Sequence, residues 1–224
     1  MTKEVKPRRY QSALRQEQAL ATRTRIARSA AELFASQGYT QTSIDQIAAH
    51  AGVARPTVYT AFTVKPAILK EALDLTLAGD DAPVPVRDRP WVQEALQQRD
   101  AHSMLQLQAR NDRTINQRVA PLYEAVRNAS ATDDDIARLY AMLKDQRLAG
   151  ARITVDALAA LGALRDDLDL DTATDILWAL KDPSLWTALV SDRGWPARRY
   201  ETWLAGTMQQ SLLPSTGVRR RRAR

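Results

Sequence analysis

The sequence predicts an all-α protein of about nine helices, on three observations. Apolar residues recur at helical spacing along most of the chain, most plainly in the stripe Ile26, Ala30, Leu33 and Phe34. No segment alternates apolar and polar residues with the period of two that a half-buried strand needs. Glycine or proline punctuates the periodic stretches at Gly38, Gly52, residues 79–90 and Gly194-Trp195-Pro196. No internal repeat is present.

The elements follow in order. Residues 1–21 are polar and basic and read as an arm, helical near its end. Thr22 or Thr24 can cap a helix running to about Gln37, where Gly38 stops it. Thr42 precedes the second helix and can cap it, with Asp45 completing a capping box. That helix lays Ile44, Ile47 and Ala48 on one face and ends at Gly52, which can take the positive φ of a tight turn. A third helix, about 55–62, adds Val58 and Phe62 to the same core. A fourth starts near Pro66 and carries Ile68, Leu69, Ala72, Leu73 and Leu77 to about Ala78. Residues 79–90, GDDAPVPVRDRP, hold three prolines and read as a linker loop, and Pro90 suits the first turn of the next helix. Later helices are expected over about 91–98, 101–128 with an interruption near Pro121, 133–164, 171–192 and 196–212. Thr132 with Asp135 offers another capping box. Asp182-Pro183 should kink or split the helix that contains it.

Composition excludes several classes of function. The chain has no cysteine, which rules out disulfides and thiolate chemistry and suits a reducing cytoplasm. His50 and His102 are too few and too isolated for a His-based metal site or a catalytic triad, so no metal, cofactor or catalytic residue is expected. No apolar run reaches the length of about 18 residues that suggests a membrane span, and the polar N-terminus does not read as a secretory signal. The net charge of +6 is unevenly placed. Residues 1–70 hold 11 Lys and Arg against 4 Asp and Glu, residues 71–218 hold 16 against 22, and 5 arginines end the chain. Basic charge gathered on one segment is what a polyanionic partner needs.

That segment contains Ser43 to Phe62, SIDQIAAHAGVARPTVYTAF. With its apolar residues assigned to a core, Arg55, Pro56, Thr57, Tyr59 and Thr60 remain to meet a ligand. Two helices joined by such a turn can set the second into a DNA major groove. Residues at a recognition helix's N-terminus reach base edges, so Arg55 could pair bidentately with guanine and the Thr57 methyl could touch a thymine methyl. Tyr59 and Thr60 offer hydroxyls to phosphates. Lys65 and Arg25, or Arg23 in its place, can act as phosphate-binding charges, and Thr42 can add backbone donors at a helix N-terminus.

The chain resembles TetR-family transcriptional regulators over residues 22–70. The matching elements are Ile26 to Phe34, Gly38-Tyr39, Thr42-Ser43-Ile44, Ile47-Ala48 with Ala51-Gly52-Val53, and Thr57, Tyr59, Phe62, Lys65 and Leu69. Trp178-Ala179-Leu180, Asp182-Pro183 and Arg193 through Leu204 resemble the end of one subgroup. Three positions depart from the family pattern. Ala54 stands where relatives often place a capping serine, Thr60-Ala61 where they often carry an aromatic residue and histidine, and Val64 where a serine caps the next helix, a part Thr63 could take.

Charge and pattern give a basic arm over 1–21 and a basic disordered tail over 214–224, and the resemblance implies a helix-turn-helix domain over 22–66 and a ligand-binding and dimerisation domain over 67–213. It implies a cytoplasmic homodimer, most simply a repressor that a small molecule releases from a palindromic double-stranded operator. The dimer surface would draw on Ile176, Leu180, Leu185, Leu189, Trp203, Leu204, Met208 and Leu212. Trp91, Met104, Leu107, Gln108, Asn111, Tyr123, Tyr140, Arg147 and Trp178 are candidates for a pocket taking an apolar or aromatic effector. An architectural DNA-binding protein without an effector is the alternative. A helical enzyme would need a nucleophile–base pair, phosphate loop or metal spacing, and the sequence offers none.

Overall fold

The computed structural model describes residues 8–80, 82 and 84–215, with side chains from Arg15 onward. Among them it is all-helical: α1 (Arg8–Gln37), α2 (Ile44–His50), α3 (Arg55–Ala61), α4 (Lys65–Ala78), α5 (Pro90–Leu96), α6 (Ala101–Ala129), α7 (Asp134–Ala160), α8 (Leu170–Leu180), α9 (Pro183–Trp186) and α10 (Ala197–Leu212). A 3₁₀ turn covers Val86–Asp88, and a π-helical turn, Thr187–Asp192, extends α9. No helix of the described residues is long and apolar enough to cross a membrane. The basic tail lies, apart from Pro214 and Ser215, outside the described residues, as do residues 1–7 of the arm.

The chain divides into two compact units, one of residues up to 81 with 121–139, the other of 82–120 with residues from 140 on. In the first, α1 packs on α2, α3 and α4. Ile26, Ala27, Ala30, Phe34, Ile47, Val58, Ile68, Leu69 and Ala72 are wholly buried there. In the second, α6, α7, α8 and α10 enclose a core that includes Met104, Leu105, Val155, Leu158, Leu177, Tyr200, Leu204, Met208 and Leu212.

Four local expectations are corrected. The arm is helical from Arg8 and continuous with α1, because residues 8–21 are mostly good helix formers and no breaker separates them from Thr22. Ser43, not Thr42, caps α2: its hydroxyl accepts from Gln46 N, and Gln46 Oε1 accepts from Ser43 N (2.7 Å), a capping box with glutamine in the role expected of Asp45. Asp133 caps α7 in place of Thr132, its Oδ1 accepting from Asp135 N (3.0 Å) and Ile136 N (3.1 Å). Pro121 lies inside a continuous α6. It and Gln117, four residues before it, are both exposed, so the proline lies on the solvent side of α6 rather than against the core.

Among the described residues before α5, 82 and 84–89, a buried arginine is the organising side chain. Arg89 is 5% exposed and donates from Nε to Val84 O (3.1 Å) and from Nη2 to Ala82 O (3.0 Å), satisfying carbonyls that no helix pairs. Asp182-Pro183 separates α8 from α9, and the Asp182 carboxylate caps α9 by accepting from Ser184 N (2.9 Å).

Candidate functional site

The helix-turn-helix is α2, α3 and the turn between them. Gly52 adopts φ +62°, a left-handed conformation that side chains disfavour. Val53 N donates back to Ala48 O (3.0 Å), closing the turn. Ala48 is 4% exposed, so α3 can approach α2 closely at this point. Val58 and Phe62 fix α3 to the core, which leaves its opposite edge in solvent.

That edge carries Arg55, Pro56, Tyr59 and Thr60, all exposed, with Thr57 half-buried beside them. Arg55 Nη1 lies 3.2 Å from Asp45 Oδ2 of α2, and Nη2 donates to Tyr59 Oη (3.4 Å). The hydroxyl of Tyr59 and the carboxylate of Asp45 hold the guanidinium pKa above its ordinary value. Both partners are themselves exposed, Tyr59 by 48%, so the guanidinium is oriented without being withdrawn from solvent. Thr60 Oγ1 donates to Pro56 O (3.0 Å), which leaves its lone pairs open. As expected from Ala54 and Val64, α3 and α4 both begin without a side-chain cap, and Thr63 does not supply one.

The remaining expected DNA contacts have different surroundings. Arg25 is exposed on α1. Thr42 is only 1% exposed, its hydroxyl donates to Gly38 O (2.8 Å) and its backbone N, the donor expected for a phosphate, already donates to Tyr39 O (3.2 Å). Arg23 donates to Ala61 O and to Glu71 Oε2 (2.9 Å), with its guanidinium 4.0 Å from the Phe62 ring centroid. It clamps α1 to α3 and α4 instead of standing free for phosphate. Lys65 Nζ donates to Tyr39 O (2.6 Å) and sits 4.1 Å from the centre of that ring. Burial pushes the Lys65 ammonium pKa down, with Asp133 acting in the other direction. Half-buried and already bonded, Lys65 has less of its charge to offer a phosphate than its sequence position suggests.

In the second unit, α5 and α6 line a groove of about 220 Å³. Trp91, Leu107 and Asn111 of the expected pocket residues line it, joined by Glu94, Arg110, Thr114, Ile115 and Arg118. Asn111 Nδ2 donates to Trp91 O (2.8 Å) and ties the two walls together. The i, i+3, i+4, i+7 spacing of Leu107, Arg110, Asn111 and Thr114 is the sequence signal for this face. Met104 and Gln108 lie buried on another side of α6. Tyr123 is buried in the first unit and does not join the groove. Arg147 pairs with Asp182 (2.6 Å), its guanidinium lying 4.7 Å from the centre of the Trp178 ring, and Trp178 Nε1 donates to Lys144 O (3.2 Å). Tyr140 of α7 is half-buried and lies near Lys144, whose ammonium stands 4.9 Å from its ring centre.

The expected dimer residues divide cleanly. Leu204, Met208 and Leu212 are wholly buried in their own chain's core and have no surface for a partner. They form the inward stripe of α10, and sequence periodicity alone does not tell inward from outward. Ile176, Leu180, Leu185, Leu189 and Trp203 are only partly buried against that core.

Residues 26–72 match the family described as bacterial regulatory proteins of the tetR family. No curated protein matches the chain in sequence. Among solved structures, a transcriptional regulator from Saccharomonospora viridis in complex with choline shares 24% identity at TM-score 0.66, over 86% of this chain and 97% of that one. SmeT in complex with triclosan shares 21% at TM-score 0.66, over 88% and 93%. SmeT is the repressor of the Stenotrophomonas maltophilia multidrug efflux pump SmeDEF. A TetR-family regulator from Mesorhizobium loti shares 18% at TM-score 0.67, over 86% and 95%.

Proposed function

We propose that this chain is a TetR-family transcriptional regulator that acts as a ligand-responsive, dimeric repressor in the cytoplasm. Each protomer places α3 in the major groove of one half of a palindromic operator. Arg55, Pro56 and Thr57 meet base edges there, and Tyr59, Thr60 and Arg25 meet the backbone. A small molecule bound in the second unit changes the separation of the two reading heads. Because half-sites must match that separation, a small change releases the DNA.

One observation carries the reading: α3 is anchored by Val58 and Phe62 while Arg55, oriented by Asp45 and Tyr59, stands in solvent at its N-terminus. The α5–α6 groove and the relatives solved with choline and triclosan support a small-molecule effector. The test is fluorescence anisotropy with a duplex from the promoter of the neighbouring gene, competed by random duplex over a salt series. A repressor binds the promoter duplex orders of magnitude more tightly than the competitor. A specificity ratio near one would instead favour an architectural DNA-binding protein.

A further inference from the structure

The reading edge of α3 is joined to α2 by one ion pair, and both partners face solvent. Arg55 Nη1 donates to Asp45 Oδ2 (3.2 Å), and the two side chains are 57% and 63% exposed. Arg55 Nη2 donates to Tyr59 Oη (3.4 Å), with the guanidinium 5.7 Å from the centre of that ring. An exposed ion pair adds little to stability. Asp45 is not needed to cap α2, a part that Ser43 and Gln46 fill. Its charge suits the first turn of that helix, yet it stands beside the arginine that reads bases in the proposed function. A carboxylate held against a polyanion is unfavourable unless it meets a donor there.

The donors and acceptors on this edge form a row. A guanidinium has five N–H groups. Asp45 and Tyr59 take one each, on different nitrogens, which leaves Nε–H and one N–H on each Nη. Two of these can act as a fork. Ionised Asp45 only accepts, and its oxygens keep lone pairs beyond the one that receives Arg55 Nη1. Side by side, the two side chains present donor, donor, acceptor. In the major groove a G·C pair presents acceptor, acceptor, donor: guanine N7 and O6, then the cytosine N4 amino group. The two rows match in one orientation. A·T sets the adenine amino donor against Arg55 and thymine O4 against Asp45. C·G sets the cytosine donor against Arg55 and guanine N7 against Asp45, and T·A puts a methyl group and an acceptor at the two ends.

We infer that Asp45 is a second base-reading residue, supplied by α2, and that Arg55 and Asp45 together read one G·C pair in each half-site, with guanine under Arg55 and cytosine under Asp45. The inference rests on the reading of the chain as a regulator with α3 in the major groove, and it names the base pair that α3 meets. Tyr59 holds Nη2, so the fork is oriented before DNA arrives and loses less freedom on binding. Asp45 also acts against wrong sites. Over a phosphate, or over a pair with an acceptor at the cytosine position, its charge meets an acceptor and is repelled. Removing it therefore strengthens binding to random duplex while weakening discrimination, a split that loss of a merely structural ion pair does not give.

The test starts by selecting bound duplexes from a randomised library with the full chain as wild type, Arg55→Ala and Asp45→Ala. Wild type should enrich one G·C pair in each half-site, with that preference lost in Arg55→Ala and reduced in Asp45→Ala. Anisotropy with the selected duplex then probes the pair atom by atom. 7-Deazaguanine, which removes N7, should weaken wild type by about tenfold and Arg55→Ala much less. N4-methylcytosine, which puts a methyl group in place of the groove-facing N4–H, should weaken wild type by about tenfold and Asp45→Ala hardly at all. Asp45→Ala should bind random duplex about twofold or more tighter than wild type. Undiminished wild-type affinity for the N4-methylcytosine duplex, or an equal loss in wild type and Asp45→Ala, overturns the inference. If Asp45→Ala fails to fold, the wild-type measurement on that duplex decides alone. A selected consensus without the G·C pair removes Asp45 as a reader and leaves the regulator standing, whereas no consensus at all removes the regulator and this inference with it.

Discussion

Arg55 and Arg23 have the same guanidinium and opposite surroundings. Arg55 is oriented by exposed partners, so its loss should cost recognition rather than folding. Arg55→Ala is expected to weaken promoter binding by about 1–3 kcal/mol while random-duplex affinity changes much less, read by anisotropy. Arg23 instead joins α1 to Ala61 O, Glu71 and the face of Phe62. Arg23→Ala should lower stability by about 1–2 kcal/mol, read as a shift in the urea midpoint, and leave the salt dependence of DNA binding nearly unchanged. Asp112 makes a third case. Burial pushes its carboxyl pKa up, with Lys181 and Gln108 opposing. A carboxyl raised in the folded state stays protonated there at pH values where the unfolded chain has already lost its proton. The folded chain then binds more protons, so the stability this group contributes is present below the ordinary Asp value of about 4 and is lost as pH rises through the folded-state value. Urea unfolding of wild type and Asp112→Asn across acid to neutral pH should show the variant gaining relative stability as pH rises. A difference independent of pH would exclude the buried titration.

At the scale of elements, the α2–α3 turn shows what the sequence makes legible. Gly52 is readable as the turn residue because few residues tolerate positive φ, and it adopts φ +62°. A Cβ built there meets nothing within 4 Å, so the cost of substitution is conformational. Gly52→Ala should lower stability by about 1–2 kcal/mol in urea unfolding and weaken DNA binding by loosening the angle at which α3 is held. The buried stripe of α1 and the break at Asp182-Pro183 are legible for similar reasons, through apolar spacing and proline chemistry. Helix starts are less so. Thr42 and Ser43 are both capping residues, and only the burial of Thr42 against Gly38 O leaves the role to Ser43. Pro121 misleads because an interior proline is most costly on a buried face, and here it and Gln117 are both exposed. The clamp of Arg23 and the bond from Lys65 to Tyr39 O join residues far apart in the chain, and no local spacing encodes them. The pairing of Asp112 with Lys181 is equally non-local, whereas the bond it accepts from Gln108 is an i, i+4 contact within α6.

At the scale of the molecule, the proposed function needs two copies, because one α3 reads only half of a palindrome. A two-fold interface uses the same patch on both protomers, so one substitution is felt twice. The partly buried residues Ile176, Leu185, Leu189 and Trp203 have surface left for that patch, and Leu204, Met208 and Leu212 do not. This difference separates dimerisation from folding. Leu185→Asp leaves the wholly buried core intact and, in a dimer, sets two carboxylates in an apolar contact, where their desolvation is unfavourable. Sedimentation should then show dimer in wild type and monomer in Leu185→Asp, with the variant's helical content unchanged. Its promoter affinity should fall far more than its random-duplex affinity, since the two half-sites are no longer read together. Leu204→Ala makes the opposite case, a core cavity costing about 2–5 kcal/mol that lowers stability whatever the assembly state. A Leu185→Asp protein that still sediments as a dimer would move the interface away from the α9 segment. The exposed Ile153 of α7, Leu161 just after it and Leu170 of α8 would then be the next surface to test.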